Sequence, residues 1–246
     1  MSEKFDFTKI KDRNKDGNFS EEAEGNIIEE ARRMEMKVEK FVAEKDKEIS
    51  KKEIRENEEE LVSINEVSGI QKRSEKLFLR EGVLNKIKII KEELKVIGLG
   101  IKIFDAWRSP GEQNRIWEEQ VRKIKNKELL LNDEEIKKIA ARFVAPPEMA
   151  PHCTGGSLDL TIYNLATGEE LDMGTAYDDF KKESYTDHPS VSEIVKNNRR
   201  RLKNIMKKQG FTNFPTEWWH FSYGNTEWAA IKGESYAIYG NIDLHI

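Results

Sequence analysis

The chain has 246 residues, and its 42 Lys and Arg against 46 Asp and Glu give a formal net charge of −4 at pH 7. This balance offers no basic excess for nucleic acid, the single cysteine excludes an internal disulfide framework, and no apolar run approaches the roughly 20 residues that span a bilayer. We therefore expect neither nucleic acid nor membrane as a partner. The first residues lack the basic and apolar segments of a secretory signal, which predicts a cytoplasmic protein, whereas a trimmed chain would also fit the periplasm.

A charged N-terminal extension, residues 1–60, precedes a body that we place at residues 61–246. The extension is dense in Glu and Lys and contains no Trp, Pro or Tyr. Five apolar residues recur in it at helical spacing and predict a helix over about residues 20–48. They are Ile27, Ala31, Met34, Val38 and Phe41. We expect this helix to lie against the body, the alternative being a zipper between chains.

A polar loop before this helix is a candidate calcium site. Its oxygen-bearing residues follow the spacing of a calcium-binding loop, with Gly17 at the turn position. They are Asp12, Asn14, Asp16, Asn18 and Ser20. Ala23 stands where such a loop carries its bidentate Glu. The alternative is a polar turn that caps the helix.

The body mixes helical and strand patterns without a regular βαβ rhythm, which predicts an α+β fold. Helical spacing occurs at residues 83–97, 111–124, 133–143 and 190–209. Strand patterns occur at residues 101–105, 158–163 and 221–223.

His152 and Asp159 flank a Gly-Gly turn that leads into a predicted strand. Leu158 and Leu160 share one face of that strand and Asp159 points to the other. From there its carboxylate can meet His152 across the turn, so that both residues are candidate ligands of one metal ion. A His and an Asp at this spacing also occur without any metal, and that alternative stays open.

The segment Glu217-Trp218-Trp219-His220 is the second candidate element. Two His and one carboxylate around zinc, with a fourth position open, form a hydrolytic arrangement, and a further Glu can act as general base. The alternative is a core Trp pair beside a surface Glu–His hydrogen bond. Taken with His152 and Asp159, the segment supplies three ligands and a base, which favours metal-assisted hydrolysis.

Arg108 follows directly on a predicted strand, in the segment Asp105-Ala-Trp-Arg-Ser-Pro110. A planar, permanently charged guanidinium suits an oxyanion or carboxylate clamp, and the alternative is an exposed arginine in a turn.

Three other reactive residues belong to none of these motifs. We expect Cys153 to be a spectator, His188 to lie exposed in a loop and His245 to belong to the tail.

Together these motifs resemble the zinc D-alanyl-D-alanine dipeptidases, a VanX-like group within peptidase family M15. The resemblance covers about residues 60–242 in order and includes several further segments. Among them are residues 78–81, 143–147, 171–175, 199–202, 210–213 and 237–240. It implies a mixed, mainly antiparallel sheet with flanking helices, of the type that these peptidases share with hedgehog domains.

The resemblance also implies the site and the reaction. One zinc ion per chain would be held by His152, Asp159 and His220. Glu217 would be the catalytic base and Arg108 would stabilise the developing oxyanion, while Asp178 matches a position associated with substrate recognition and would face the substrate ammonium. The implied reaction is hydrolysis of the small dipeptide D-Ala-D-Ala to two D-alanines, in cell-wall precursor or peptidoglycan metabolism.

Two other functions remain open at this point. A D,D- or L,D-carboxypeptidase would use the same metal chemistry on longer peptidoglycan peptides in a more open cleft. A binding or regulatory protein with a vestigial zinc site would need neither Glu217 nor Arg108.

Overall fold

The computed structural model describes residues 21–74, 76–128 and 130–244. Its helices are α1 (Glu21–Ile49), α2 (Glu81–Val96), α3 (Pro110–Lys127), α4 (Asp133–Ala140), α5 (Glu193–Lys208) and α6 (Thr226–Lys232). Its strands are β1 (Glu53–Ile54), β2 (Leu61–Ser63), β3 (Gln71–Lys72), β4 (Phe78–Arg80), β5 (Leu99–Asp105), β6 (Ser157–Asn164), β7 (Thr212–Asn213), β8 (His220–Ser222) and β9 (Tyr236–Ala237). The predicted helices and strands are all present within a few residues of their expected ends.

The main sheet has five strands in the order β3-β5-β6-β8-β7. Strand β3 pairs with β5 in parallel, and the other pairs in this sheet are antiparallel. Two further pairs stand apart from it, β1 with β9 and β2 with β4. The α+β fold with a mixed, mainly antiparallel sheet and flanking helices is thus confirmed.

The hydrophobic core lies between the main sheet and the apolar sides of α2 and α5. Leu84, Ile87 and Ile90 of α2 are at most 1 % exposed, as are Leu202 and Met206 of α5. They join Leu158, Leu160 and Ile162 of β6 in one buried cluster. Since both the apolar and the polar positions of β6 are buried, the strand that leads to Asp159 is held rigidly from both faces.

Helix α1 packs against the body, as its apolar stripe predicts. Ala31 is buried and the other four stripe residues are partly buried, whereas Ile28 outside the stripe is 53 % exposed. Polar contacts add to this packing, since Lys182 of the body bonds Glu39 of α1. The helix therefore covers part of the body.

His188 differs from its expected exposed position, since the side chain is buried. Its Nε2 atom lies 3.3 Å from Oε1 of Glu35 on α1, and its Nδ1 lies 2.8 Å from Oγ of Ser190. The expectation was wrong because the sequence of the loop around His188 does not indicate that α1, which is distant in sequence, packs against it.

Residues before α2 are tied into the body by a buried arginine. Arg80 bonds the backbone carbonyls of Thr154, Glu59 and Gly240 and the carboxylate of Glu56. The predicted boundary between residues 60 and 61 stays a prediction, and these contacts cross it.

The candidate calcium loop, Asp12 to Ser20, lies outside the described residues, as does His245. None of the described helices combines the length and the apolar character that crossing a membrane requires.

Candidate metal centre

Asp159 and His220 are directly opposite each other on the neighbouring antiparallel strands β6 and β8. Side chains paired in this way project from the same face of a sheet and lie within contact distance. Oδ1 of Asp159 is 2.9 Å from Nδ1 of His220. Strand register therefore brings together two residues that are 61 positions apart in sequence.

His152 approaches the same point from the turn that precedes β6. It lies in a single helical turn, Pro151–Thr154, which ends at Gly155 with a φ of 70°. A Cβ at Gly155 would come within 2.4 Å of Cδ2 of Leu61, so this turn requires glycine both for its backbone angle and for space. The ring Nδ1 lies 2.6 Å from the carbonyl oxygen of Ala106. Donation of Nδ1–H to that carbonyl leaves Nε2 free to bind a metal.

The three candidate ligand atoms form a small triangle. Nε2 of His152 lies 3.2 Å from Nδ1 of His220 and 3.4 Å from Oδ1 of Asp159, and the third side is 2.9 Å. Ligands at about 2.0–2.1 Å from a tetrahedral zinc ion are about 3.3 Å apart. Of the described residues, these are the three whose buried donor atoms meet the spacing of a metal site. The donor set and its dimensions fit zinc.

The charges at this triangle are strongly coupled. Burial acts to lower the pKa of His220, but Glu227 and Asp159 raise it well above its ordinary value. Burial acts to raise the pKa of Asp159, but His152 and His220 hold it below its ordinary range. A metal ion replaces the proton that holds these groups together, so that metal binding releases a proton.

Glu227 is a site residue that the sequence analysis missed. It lies in the first turn of α6 and is 6 % exposed. Its Oε1 atom is 3.1 Å from Nε2 of His220 and accepts a hydrogen bond from Oγ of Ser222 at 2.6 Å. Although burial acts to raise its pKa, His220 and Ser222 bring it below the ordinary value. An acid in a first helical turn is typical of any helix, so its sequence position carried no specific signal.

Glu217 lies in the turn before β8 and lines the same cleft as the three ligands. No hydrogen bond to its half-buried carboxylate is found in the described part of the chain. Burial raises its pKa to about 7; His220 acts in the opposite direction, and Asp159 and Glu227 act in the same direction as burial. A carboxylate with these properties can take up a proton near neutral pH.

Arg108 is fixed on two sides at the exit of β5. Its Nη2 bonds the carboxylate of Asp105, and its Nη1 donates to Oε1 of Gln113 at 2.6 Å. Burial acts to lower its pKa, but Asp105 raises it above the ordinary value. The guanidinium is therefore a preorganised, permanent positive charge in the cleft.

Tyr177 and Asp178 form another part of the cleft wall. The Tyr177 hydroxyl donates to Oδ2 of Asp159 at 3.1 Å, and its ring stacks on Phe104. Asp178 has a φ of 66° and an exposed side chain. Partial burial and the charge of Asp159 raise its pKa, while Arg108 acts in the opposite direction.

These groups line one cleft of about 890 Å³. Trp219 is both a core residue and part of the cleft wall. The alternative of a surface Glu–His hydrogen bond does not hold, since His220 is buried and no hydrogen bond between its side chain and that of Glu217 is found among the described residues. Cys153 is buried, and burial raises its pKa to about 11. The end of α1 also borders the cleft, through Asp46, Lys47, Ile49 and Ser50.

Two curated relatives have similar sequences. The chain is 32 % identical over 134 residues to a D-alanyl-D-alanine dipeptidase of Enterococcus faecium, a match that covers 53 % of this chain and 65 % of that relative. It is 30 % identical over 128 residues to the corresponding dipeptidase of Enterococcus faecalis, covering 51 % and 62 %. The chain thus spans slightly less than two thirds of the length of these relatives.

A solved structure, VanYB in complex with D-alanine-D-alanine, is similar at 17 % identity with a TM-score of 0.44, covering 71 % of this chain and 82 % of that chain. A structural similarity at this level does not bear on the family assignment, which rests on the sequence. The family model Peptidase M15, described as D-ala-D-ala dipeptidase, matches residues 57–235, which is well over half of the chain. This chain belongs to the peptidase M15 family.

Proposed function

We propose that this protein is a zinc-dependent dipeptidase that hydrolyses D-Ala-D-Ala to two D-alanines, in cell-wall precursor or peptidoglycan turnover metabolism. The observation that carries the proposal is the triangle of His152, Asp159 and His220 beside the unpaired carboxylate of Glu217. A structural metal site needs no such base. The curated relatives with this activity support the substrate assignment.

When bound, zinc would supply a Lewis acid that polarises the peptide carbonyl and acidifies water. Glu217 then accepts a proton from the attacking water and delivers it to the leaving nitrogen. Arg108 keeps N–H donors beyond those used by Asp105 and Gln113, and these stabilise the charge that develops on the carbonyl oxygen. The Trp219 and Tyr177 rings form apolar parts of the cleft wall around these groups.

Asp178 gives the site its proposed preference for a dipeptide. A dipeptide places a free ammonium close to the scissile bond, whereas a longer peptide has an uncharged amide at that position. Asp178 lines the cleft with the ligands, and its exposed carboxylate is available for such a cation.

A D,D- or L,D-carboxypeptidase is the second candidate, favoured by the size of the cleft. Its volume of about 890 Å³ lies near the upper end of the roughly 300–1,000 Å³ typical of ligand pockets. Two alanines would fill a small part of it, so that a longer peptide has room.

One assay separates these functions. Zinc-loaded protein is given D-Ala-D-Ala, L-Ala-L-Ala and a pentapeptide ending in D-Ala-D-Ala, and released amino acids are quantified. The proposal requires D-Ala-D-Ala to be hydrolysed with the largest kcat/KM of the three. A pentapeptide cleaved equally well would favour the carboxypeptidase, and inertness toward all three would favour a vestigial site. The expected cytoplasmic location stays a prediction.

A further inference from the structure

Helix α1 makes its largest contact in the described chain with α6, the helix that carries Glu227. All of α1 lies before the residues that match the family model, which begin at residue 57. None of the active-site motifs lies in this helix, although its last turn borders the cleft.

The last turn of α1 is anchored to the segment that follows α6. Ile49 is 7 % exposed at the end of the helix, and Nζ of Lys52 donates to the backbone carbonyl of Glu234 at 2.7 Å. Strand β1 then pairs with β9. Helix α6 is thus held between its own connection to the sheet and the end of α1.

The opposite end of α6 is attached to the sheet through its cap. Asn225 accepts from the backbone N–H of Trp228 at 2.9 Å and donates to Oγ of Ser157 at 2.8 Å. This attachment fixes where the helix starts. With its start fixed, α6 can still rotate about its axis and tilt. These two motions decide where the Glu227 carboxylate points, and the contact with α1 restrains them.

The α1 residue Asp46 borders the same cleft as Glu227. Burial raises the pKa of Asp46, and the charge of Glu227 raises it further. The end of α1 and the Glu227 carboxylate therefore border one cleft where α1 meets α6.

We propose that α1 is a positioning element for the metal centre: by packing against α6 it holds Glu227, and through Glu227 the ring of His220, in the orientation that binds the metal. The inference rests on the metal centre of the proposed function and is independent of the substrate. Carboxylates that orient metal-binding histidines typically contribute about 10–100-fold to metal affinity. A small displacement of Glu227 should therefore lower the metal affinity by part of this contribution of about 10–100-fold.

The test measures the zinc dissociation constant of the full-length protein by competition with a chromophoric chelator, below the melting temperature of every variant. Ile49→Ala loosens the buried end of α1 and should weaken zinc binding about three- to tenfold, a fraction of the loss expected without the carboxylate. Ile28→Ala makes the same change on the exposed side of α1 and should stay within about twofold of wild type.

A double-mutant cycle identifies the route of the effect. In a Glu227→Ala background, Ile49→Ala should change the zinc dissociation constant by less than about twofold, because the group through which α1 acts is gone. An equal loss in both backgrounds would overturn the proposal, as would a lower melting temperature with unchanged zinc affinity.

If Ile49→Ala does not fold, Lys52→Met provides the same test, because it removes only the hydrogen bond to Glu234. Unchanged zinc affinity in a folded Lys52→Met protein then overturns the proposal, and weaker binding supports it. The absorption spectrum of the Co²⁺-loaded variants should shift with the affinity, since it reports ligand geometry. Wild-type protein that binds zinc but cleaves no peptide would defeat the proposed function and leave this inference intact.

Discussion

Glu227 accepts a hydrogen bond from His220 at 3.1 Å, on the side of the imidazole away from the ligand triangle. The bond places the ring proton on Nε2 and leaves the lone pair of Nδ1 directed at the metal position. The negative charge behind the ring also makes Nδ1 a stronger donor.

We therefore expect Glu227→Gln to bind zinc about 10–100-fold more weakly. The amide can still accept the hydrogen bond but supplies no charge. Glu193→Gln is the matched control, because Glu193 also lies in a first helical turn but is exposed. Chelator competition on the two variants checks the prediction, and equal affinities would remove Glu227 from the metal centre.

Glu217→Gln should keep its zinc and its fold but lose at least about a hundredfold in kcat. The amide cannot accept a proton, and a positioned general base contributes about 10²–10⁴-fold. Steady-state kinetics with D-Ala-D-Ala, together with elemental analysis for zinc, measure both parts of the prediction. Turnover near the wild-type rate would mean that another group is the base.

The same variant should stabilise the metal-free protein above about pH 4.5, and by the full amount above about pH 7. The pKa of Glu217 is about 7 in the folded protein against an ordinary value of 4.5, so the folded state binds this proton more tightly than the unfolded state. The carboxyl group costs no stability below about pH 4.5, costs progressively more between about pH 4.5 and 7, and costs a constant amount at higher pH.

The pKa difference sets a ceiling of roughly 3 kcal/mol on that cost, and the partial exposure of Glu217 reduces it. Urea unfolding of metal-free wild type and Glu217→Gln at pH 4, 6 and 8 measures the difference. The gap in the free energy of unfolding should widen with pH. A constant gap would indicate an ordinary packing effect.

Arg108→Lys should lower kcat about tenfold or more, because a compact ammonium cannot bond Asp105 and Gln113 and still direct donors at the substrate. Arg142→Lys serves as control, since Arg142 is an exposed arginine that lines the same cleft. Kinetics with D-Ala-D-Ala compare the two. Equal effects would place Arg108 outside the reaction.

Asp178→Asn should raise KM for D-Ala-D-Ala about tenfold or more with little change in kcat, if its charge holds the substrate ammonium. Asn tolerates the positive φ of this position as well as Asp does, so the backbone should be preserved. Asp179→Asn changes the adjacent carboxylate, which pairs with Lys181, and should leave KM near the wild-type value.

The long elements were predictable from the sequence because each repeats one pattern over several turns or residues. The stripe of α1 and the alternation around β6 are of this kind. The candidate metal ligands could be picked out because His152, Asp159 and His220 stand in distinctive motifs. Strand register then determines the distance between Asp159 and His220, and the turn before β6 places His152 beside them.

Helix α6 could not be predicted in this way. It has seven residues, and Ala229 and Ala230 are buried along with Glu227. The helix therefore lacks the separation into a polar and an apolar face from which a helix is predicted. Two-residue strands such as β1 and β9 exist only because distant segments meet. The contact of His188 with Glu35 depends on the docking of α1, which local sequence does not encode.

The buried guanidinium of Arg80 has a practical consequence for anyone who shortens this protein. A chain cut at residue 61 would lack the Glu56 carboxylate and the Glu59 carbonyl that bond it, and would leave a buried guanidinium with fewer partners, which is destabilising. Arg80 also bonds the carbonyl of Thr154, two residues from the candidate ligand His152. An expression boundary chosen from the family match should therefore start before residue 56, because the arginine that supports this turn would otherwise lose two of its partners.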